Sequence, residues 1–535
     1  MEVEEQGAPA AGATANASLR RKDAGAAEPS SGRKRLARDT SLASSTAASP
    51  GDEQESSDDA MDDDEDDAEE EEEEEAEGRA RVFRPGVDTL EEGEELTCDM
   101  EAYDMLHRLR TEWPCLSFDV VKDQLGSGRR GPGPHCVTLV AGTQADEAQK
   151  NAIYLMQWSN LRKQKHREED DEDSSSSEEE DSSDEEADDA TKSKKPYFHC
   201  VSVAHSGTVN RIRAMPQAQS LVATWSEEGK VCMYNLAEEF QQLPSRLASA
   251  QVPPVVKKPV FESCPLTTHR TEGYAMAWSG HRTGMFASGD NDGKLMHWLP
   301  LEGGWTLSAF KETHRPGTSI EDVQWKKAGL SCEQLLASCG GDGTLQVCDI
   351  RVQGPILRIS CVEEGSGVDV NVLDWNPLQG ELIATGADDG CIKVFDLRAS
   401  TRRVLERGAS ATCVEEVSPG EALMAEFEYH RGGITAISWH PTDEAALCAA
   451  SLDGTLSLWD MAVEEDDEMS QGEAVAKTGD NNDGDEEDAA FPPQLLFLHA
   501  GQEDVREAAW HPQLPGVVLS TAGDGFHLFK ARENF

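Results

Sequence analysis

Over much of the chain beyond residue 200, apolar positions alternate with polar ones in short runs, the period of half-buried strands, and groups of such runs recur. Three segments align: AWSGHRTGMFASGDNDGKLMHW, DWNPLQGELIATGADDGCIKVF and SWHPTDEAALCAASLDGTLSLW. Trp278 to Trp298, Trp375 to Phe395 and Trp439 to Trp459 are each twenty residues apart. Further copies run from Ala214 to Tyr234, Trp325 to Cys348 and Trp510 to Phe529, making six. Each copy carries an acid and a glycine between two strand-like runs: Glu228-Gly229, Asp292-Gly293, Asp342-Gly343, Asp389-Gly390, Asp453-Gly454 and Asp524-Gly525. Such a pair predicts a type I′ hairpin turn, so each unit is a small antiparallel sheet.

Five copies have a histidine ahead of the first aromatic position: His205, His269, His314, His430 and His499. With a hydroxyl on the strand before the turn, the turn acid (Asp292, Asp342, Asp389 or Asp453) and a closing Trp298 or Trp459, these predict a buried polar chain. It runs from indole N–H to hydroxyl, from hydroxyl to imidazole and from imidazole to carboxylate. Recurrence assigns the histidines to structure, and none to catalysis.

Upstream, Met100, Tyr103, Leu106 and Leu109 fall at helical spacing in LTCDMEAYDMLHRLRTEWPCL, with Thr97 or Asp99 as N-cap and Pro114 as the stop. An N-terminal helix segment over 89–114 is therefore expected.

Charge divides the rest. The chain has 48 Lys+Arg against 103 Asp+Glu, and three tracts hold most of the excess. Residues 52 to 77, 168 to 189 and 464 to 488 carry nineteen, fifteen and twelve acids against a single Lys, 45 of the net 55 negative charges. Like-charged runs bury nothing, so a disordered acidic N-terminal region over 1–88 and disordered acidic insertions at about 162–195 and 462–490 are expected. Such a surface disfavours direct nucleic-acid binding and favours basic protein partners. The 13 cysteines lack any C-x-x-C spacing, which argues against a zinc site or a secreted disulfide framework. No run is long enough to cross a bilayer, and no signal peptide is evident, so a soluble intracellular monomer is expected. The serines of SSSSEEEDSSDEE are candidate phosphorylation targets, and GRKRLAR, LRKQKHR and KSKK are candidate nuclear addresses.

Catalytic signatures are absent. GSGRRG at Gly126 leads into GPGP instead of a helix, GDNDGK lacks the spacing of a phosphate loop, and DNNDGDEED lacks the glycine position of a calcium loop. No catalytic residue, metal or cofactor is assigned, and the chain is expected not to be an enzyme.

The aromatic spacing and the closing pairs Trp459-Asp460, Phe395-Asp396 and Cys348-Asp349 resemble the WD-repeat family, whose units are four-stranded propeller blades. Six copies leave two unpaired sheet edges, so another blade is needed. LSFDVVKD, HCVTLVAGTQ and NAIYLMQW supply its strands. The expected fold is all-β, a seven-bladed WD-repeat propeller over 115–535, with the last strand FHLFK completing a blade begun near the other end of the chain.

Within that family, YDMLHRLRTEWPCL and DEEDAAFPPQLLFLH are similar to the histone-binding branch of chromatin-assembly propellers, and the glutamate-rich tracts to the glutamate-rich WD-repeat proteins. The resemblance implies a groove for a basic amphipathic helix, with Ala102 and Met105 on the N-terminal helix, Phe497 and Leu498 as apolar floor, and Asp485, Glu486, Glu487 and Asp488 facing Arg or Lys. It further implies a nuclear, largely nucleolar chaperone of a large-subunit ribosomal protein in ribosome biogenesis, with histone binding. Asp349-x-Arg351 and Asp396-x-Arg398 resemble the ending of WD repeats that dock on a cullin-type ubiquitin-ligase adaptor, a rival role, and a general WD-repeat scaffold is another.

Overall fold

The computed structural model describes residues 98–131, 133–163, 195–245, 252–264, 267–363, 365–407, 414–463 and 491–532, together with the short strands Glu2–Glu4, Arg20–Asp23 and Glu94–Thr97. It is a seven-bladed β-propeller. Blades 1 to 6 begin with Cys115–Val121, Val209–Met215, Ala275–Trp278, Ile320–Trp325, Val370–Trp375 and Ile434–Trp439. Each blade adds three antiparallel strands outward, and the strands are lettered a to d from the axis. Blade 7 is built from both ends of the described chain: Glu507–Trp510, Val517–Ala522 and Gly525–Ala531, then Tyr103–Arg110 as its strand d.

The predicted blade from LSFDVVKD, HCVTLVAGTQ and NAIYLMQW is blade 1, completed by Tyr197–Ala204 beyond the second acidic tract. The twenty-residue spacing is a row across three strands. Trp278 pairs Phe286, which pairs Trp298; Trp439 pairs Leu447, which pairs Trp459; Trp375 pairs Ile383, which pairs Phe395.

The helix expected at residues 100–109 is a strand. Only Met100–Ala102 forms a 3-10 turn, capped as anticipated by Asp99, whose carboxylate accepts the Glu101 N–H at 2.8 Å. Tyr103–Arg110 is extended and pairs with the last strand, Phe529 opposite Leu106. Both of its faces are covered. Tyr103 and Leu106 pack between blades 6 and 7, while Met105 and Leu109 pack between blades 7 and 1. A strand buried on both faces loses the alternation that would distinguish it from a helix.

The acid–glycine turns are not type I′. In five blades the glycine N–H closes the turn on the residue three earlier, as Gly454 does on Ser451 at 3.2 Å. The glycine has positive φ, +85° at Gly454, whereas the acid before it does not, the signature of a type I turn followed by a left-handed residue. At Gly390 (φ +83°) a Cβ would also sit 2.2 Å from the His430 carbonyl oxygen.

Apolar side chains form seven layers, one between each pair of adjacent blades. Nearer the axis, polar links set the blades against one another. Asp119, Asp374 and Glu507 each accept the backbone N–H of the next blade's inner strand, from Ala214 (2.8 Å), Trp439 (2.9 Å) and Phe118 (2.8 Å). Asp322 does the same for Leu373 at 3.2 Å. In the other direction the inner-strand indoles of Trp278, Trp325, Trp439 and Trp510 donate to the preceding blade's carbonyls of Arg213, Ala277, Asp374 and Ser438 at 3.0 to 3.1 Å. Glu507, which links blade 7 to blade 1, also binds Arg211 (3.2 Å) and Arg213 (2.5 Å) of blade 2.

The predicted polar chain is complete in two blades. In blade 3, Trp298 Nε1 donates to Ser288 Oγ (2.8 Å), Ser288 to His269 Nε2 (2.7 Å) and His269 Nδ1 to Asp290 (2.9 Å). The acid is Asp290, not the expected Asp292: Asp290 is buried and also accepts the N–H groups of Asp292 and Lys294, while Asp292 is left exposed. In blade 6, Trp459, Ser457, His430 and Asp453 are linked at 2.7, 2.7 and 3.0 Å, with the hydroxyl on the strand after the turn. Blade 4 has His314, Ser338 and Asp342, and ends in Cys348, which has no indole to offer. The remaining assignments are corrected. His205 donates to the Gly207 carbonyl (2.9 Å), because Glu228 is engaged by Ser206 and Lys230. Asp389 caps only the Cys391 N–H (3.0 Å), as its blade supplies no histidine. His499 turns instead to Tyr103 and His527, at 2.8 and 2.9 Å.

Burial holds His499 and His511 at about 3 and His107 at about 4, below the ordinary imidazole value of about 6.5. Because the unfolded chain takes up these protons first, stability is complete above pH 6.5 and falls as pH drops toward those values. Asp119, raised to about 6 by burial, opposes this as one group against three. Denaturant titrations at pH 7, 6 and 5 are expected to show a progressive loss, about 1.4 kcal/mol per pH unit for each such histidine.

Candidate functional site

Strands alternate in direction, so every a-to-b and c-to-d connection lies at one end of the propeller, here the lower end, and every b-to-c connection at the other. Residues 162–196 join c to d in blade 1, and residues 461–494 join c to d in blade 6. The N-terminal segment reaches blade 7 at the same end, because Tyr103 starts strand d opposite Ala531, where strand c stops. Blades 6, 7 and 1 are consecutive in the ring. All three acidic tracts therefore leave the described structure from one end, and from adjacent blades.

The insertion in blade 6 has a closed mouth. Gln494 N–H and C=O groups hold its two sides together: Nε2 donates to the Val463 carbonyl (3.2 Å), and the carbonyl accepts the Asp460 N–H (2.9 Å). Half-buried Phe491 rests near Tyr429, 6.1 Å between ring centroids, with Met461 in the same layer. Beyond strand d of this blade, Cys98, Met100 and Ala102 lie half-buried on the layer between blades 6 and 7. Two partly exposed apolar ledges thus flank the mouth.

The site residues anticipated from sequence are brought to this neighbourhood but not to this surface. Tyr103 meets Phe497 edge to face at 5.4 Å, so the two distant motifs do adjoin. Met105, Phe497 and Leu498, expected as groove contacts, are 2, 2 and 0% exposed and belong to the core. The alternation of strand Leu495–Ala500 cannot be read as one dry and one wet face, because adjacent blades cover both. Ala102 is half-buried, and its carbonyl accepts the Arg532 N–H at 2.9 Å. Asp485, Glu486, Glu487 and Asp488 lie outside the described residues. The ledge residues Phe491, Met461 and Tyr429 were missed, although Phe491 directly precedes the Pro-Pro pair that marks the insertion's end.

Tyr103 ties the N-terminal strand to the site. Its hydroxyl donates to His499 Nδ1, and its ring packs on Phe497 and Phe529. On the other side Asp104 binds Lys163 of blade 1 at 2.8 Å, beside the mouth of the second insertion. Elsewhere on the propeller, Arg351 grips Asp349 through two nitrogens at 2.6 to 3.0 Å, and Arg398 is bound to Asp396 at 2.8 to 3.1 Å. Both guanidinium groups remain substantially exposed. The connection after Asp396 adds a feature the repeats do not announce: helix Arg398–Arg407, then strand Glu415–Val417 laid parallel on the outer strand Gly354–Ser360 of blade 4.

Residues 93–162 match the family of the histone-binding protein RBBP4, a component of the CAF1 complex. Residues 360–396 and 421–460 match the WD domain, G-beta repeat. Over 460 residues the chain is 37% identical to a glutamate-rich WD repeat-containing protein 1 of Dictyostelium discoideum, spanning 85% of this chain and 86% of that protein. It is 36% identical to Protein HEAT STRESS TOLERANT DWD 1 of Arabidopsis thaliana (84% and 90% covered). It is 33% identical to ribosome assembly protein rrb1 of Schizosaccharomyces pombe (82% of each).

Tyr103→Phe removes the donor to His499 Nδ1 and leaves a buried acceptor unmatched. Denaturant unfolding is expected to show a loss of about 1–3 kcal/mol, with faster amide exchange across residues 103–110 before the rest of the ring.

Proposed function

Because this chain belongs to the glutamate-rich WD-repeat proteins, we propose that it is a nuclear and nucleolar chaperone and binding platform for basic proteins. Its first client on this reading is a newly made large-subunit ribosomal protein in ribosome biogenesis, with histones as a second class. The observation that carries the reading is the common root of the three acidic tracts on blades 6, 7 and 1 at the lower end. Free ribosomal proteins and histones share a surplus of positive charge that collapses onto nucleic acid unless covered. Tethered carboxylates raise the local concentration of such clients and speed encounter, and the ledges of Met100 and Phe491 offer apolar anchorage beside them. The match of residues 93–162 to a histone-binding family and the ribosome-assembly relative support the same reading.

A rival reading, a substrate receptor of a cullin-type ubiquitin ligase, is favoured by Asp349-Arg351 and Asp396-Arg398. Double substitution of Arg351→Ala and Arg398→Ala separates the two. Retained binding of basic clients supports the chaperone, and adaptor co-purification lost in the variant supports the ligase.

Deletion of residues 464–490 is expected to leave the ring folded, because Gln494 already bridges the mouth. It should weaken a basic client roughly tenfold at low salt and flatten the salt dependence of binding. Unchanged affinity in a titration against a purified ribosomal protein excludes the role.

A further inference from the structure

In a chain of net charge -55, part of the lower end is cationic. The connection 122–134 of blade 1 is bound to blade 7: Arg129 N donates to the Gln513 carbonyl (3.2 Å), and Gln513 Nε2 to the carbonyls of Asp123 (3.0 Å) and Gly126 (3.2 Å). Arg129 and the exposed Arg130 are thereby carried to blades 7 and 6. There Lys530 lies half-buried on strand c, facing Arg130 and Lys163, and His440 of blade 6 faces both Arg130 and Lys530. The nearby acids are largely spent, Asp104 on Lys163 (2.8 Å) and Asp123 on Arg129 (2.7 Å), with Asp443 left beside His440.

Four donors here lack a partner among the described residues. Arg130 and Lys530 have no ion pair there, and Arg129 Nε is a buried N–H without an acceptor. His440, 3% exposed, accepts the Thr442 N–H through Nδ1 (3.3 Å), so Nε2 carries the proton, and it too lacks an acceptor as the ring stands edge-on to Trp510. Buried donors are ordinarily matched, and leaving several unmatched beside uncompensated cations is costly.

We propose that this surface is a seat for a single phosphomonoester-class oxyanion, held by Arg130 and Lys530 with the N–H groups of Arg129 and His440. A phosphate dianion offers three acceptor oxygens to donors arriving from three blades and balances more of their charge than one carboxylate. A nucleic-acid strand is disfavoured, since its neighbouring phosphates would run against Asp104, Asp123, Asp443 and the roots of the acidic tracts. The seat is independent of the chaperone reading.

The test titrates the full-length protein with inorganic phosphate, replacing chloride at constant ionic strength, by calorimetry and thermal melting. One saturable site per chain and a rise in melting temperature are expected. Arg130→Ala, an exposed change that keeps the fold, should weaken binding several-fold. Arg130→Ala with Lys530→Met should weaken it at least tenfold, with melting in chloride unchanged. A flat titration of the wild type, or equal binding by the double variant, overturns the seat. A second arm uses a single-stranded RNA 20-mer: saturable RNA binding that phosphate does not displace and the double variant loses overturns it in favour of a nucleic-acid surface.

Discussion

A ring of separate sheets holds together only if each sheet is oriented by the next, and here the orienting contact is polar. Apolar layers between blades supply most of the adhesion, but such layers tolerate sliding. The inner-strand carboxylates of Asp119, Asp322, Asp374 and Glu507 reach forward to a backbone N–H, and the indoles of Trp278, Trp325, Trp439 and Trp510 reach back to a carbonyl. Both are directional, and together they fix angle and height between neighbours. Glu507 has the heaviest share, because it joins the last blade to the first while compensating two arginines of the second. Removing one partner from such a buried group costs far more than its net contribution.

This rigid ring explains why function concentrates in its connections. Blade 6 lengthens its outer connection without disturbing strands Thr455–Asp460 and Leu495–Ala500, whose register continues on both sides of the insertion. Blade 1 does the same between Ala152–Leu161 and Tyr197–Ala204. A long insertion at a closed mouth adds little loop entropy, so charge can be added in bulk at these points.

Much of the architecture was legible in the sequence because the repeat is itself a cross-strand row. Trp439, Leu447 and Trp459 are neighbours across three strands, so their spacing records the lengths of two hairpins. Reading failed where burial is two-sided. Tyr103–Arg110 carries apolar groups on both faces and mimics helical spacing, and Phe497 and Leu498 look like an exposed floor only if one face of their strand meets water. It failed also where two residues compete for one role, as Asp290 and Asp292 do within a single turn. The cationic seat draws Arg129, His440 and Lys530 from three distant segments, and no local pattern announces it.

Blade 7 takes its outer strand from near the chain's beginning and its other three from near its end. During synthesis Tyr103–Arg110 emerges early yet has no sheet to join until Gly525–Ala531 has left the ribosome. A copy broken off anywhere before that last strand can have its acidic tracts but no completed toroid beneath them. Client capture is thereby withheld from unfinished chains, a form of quality control written into topology.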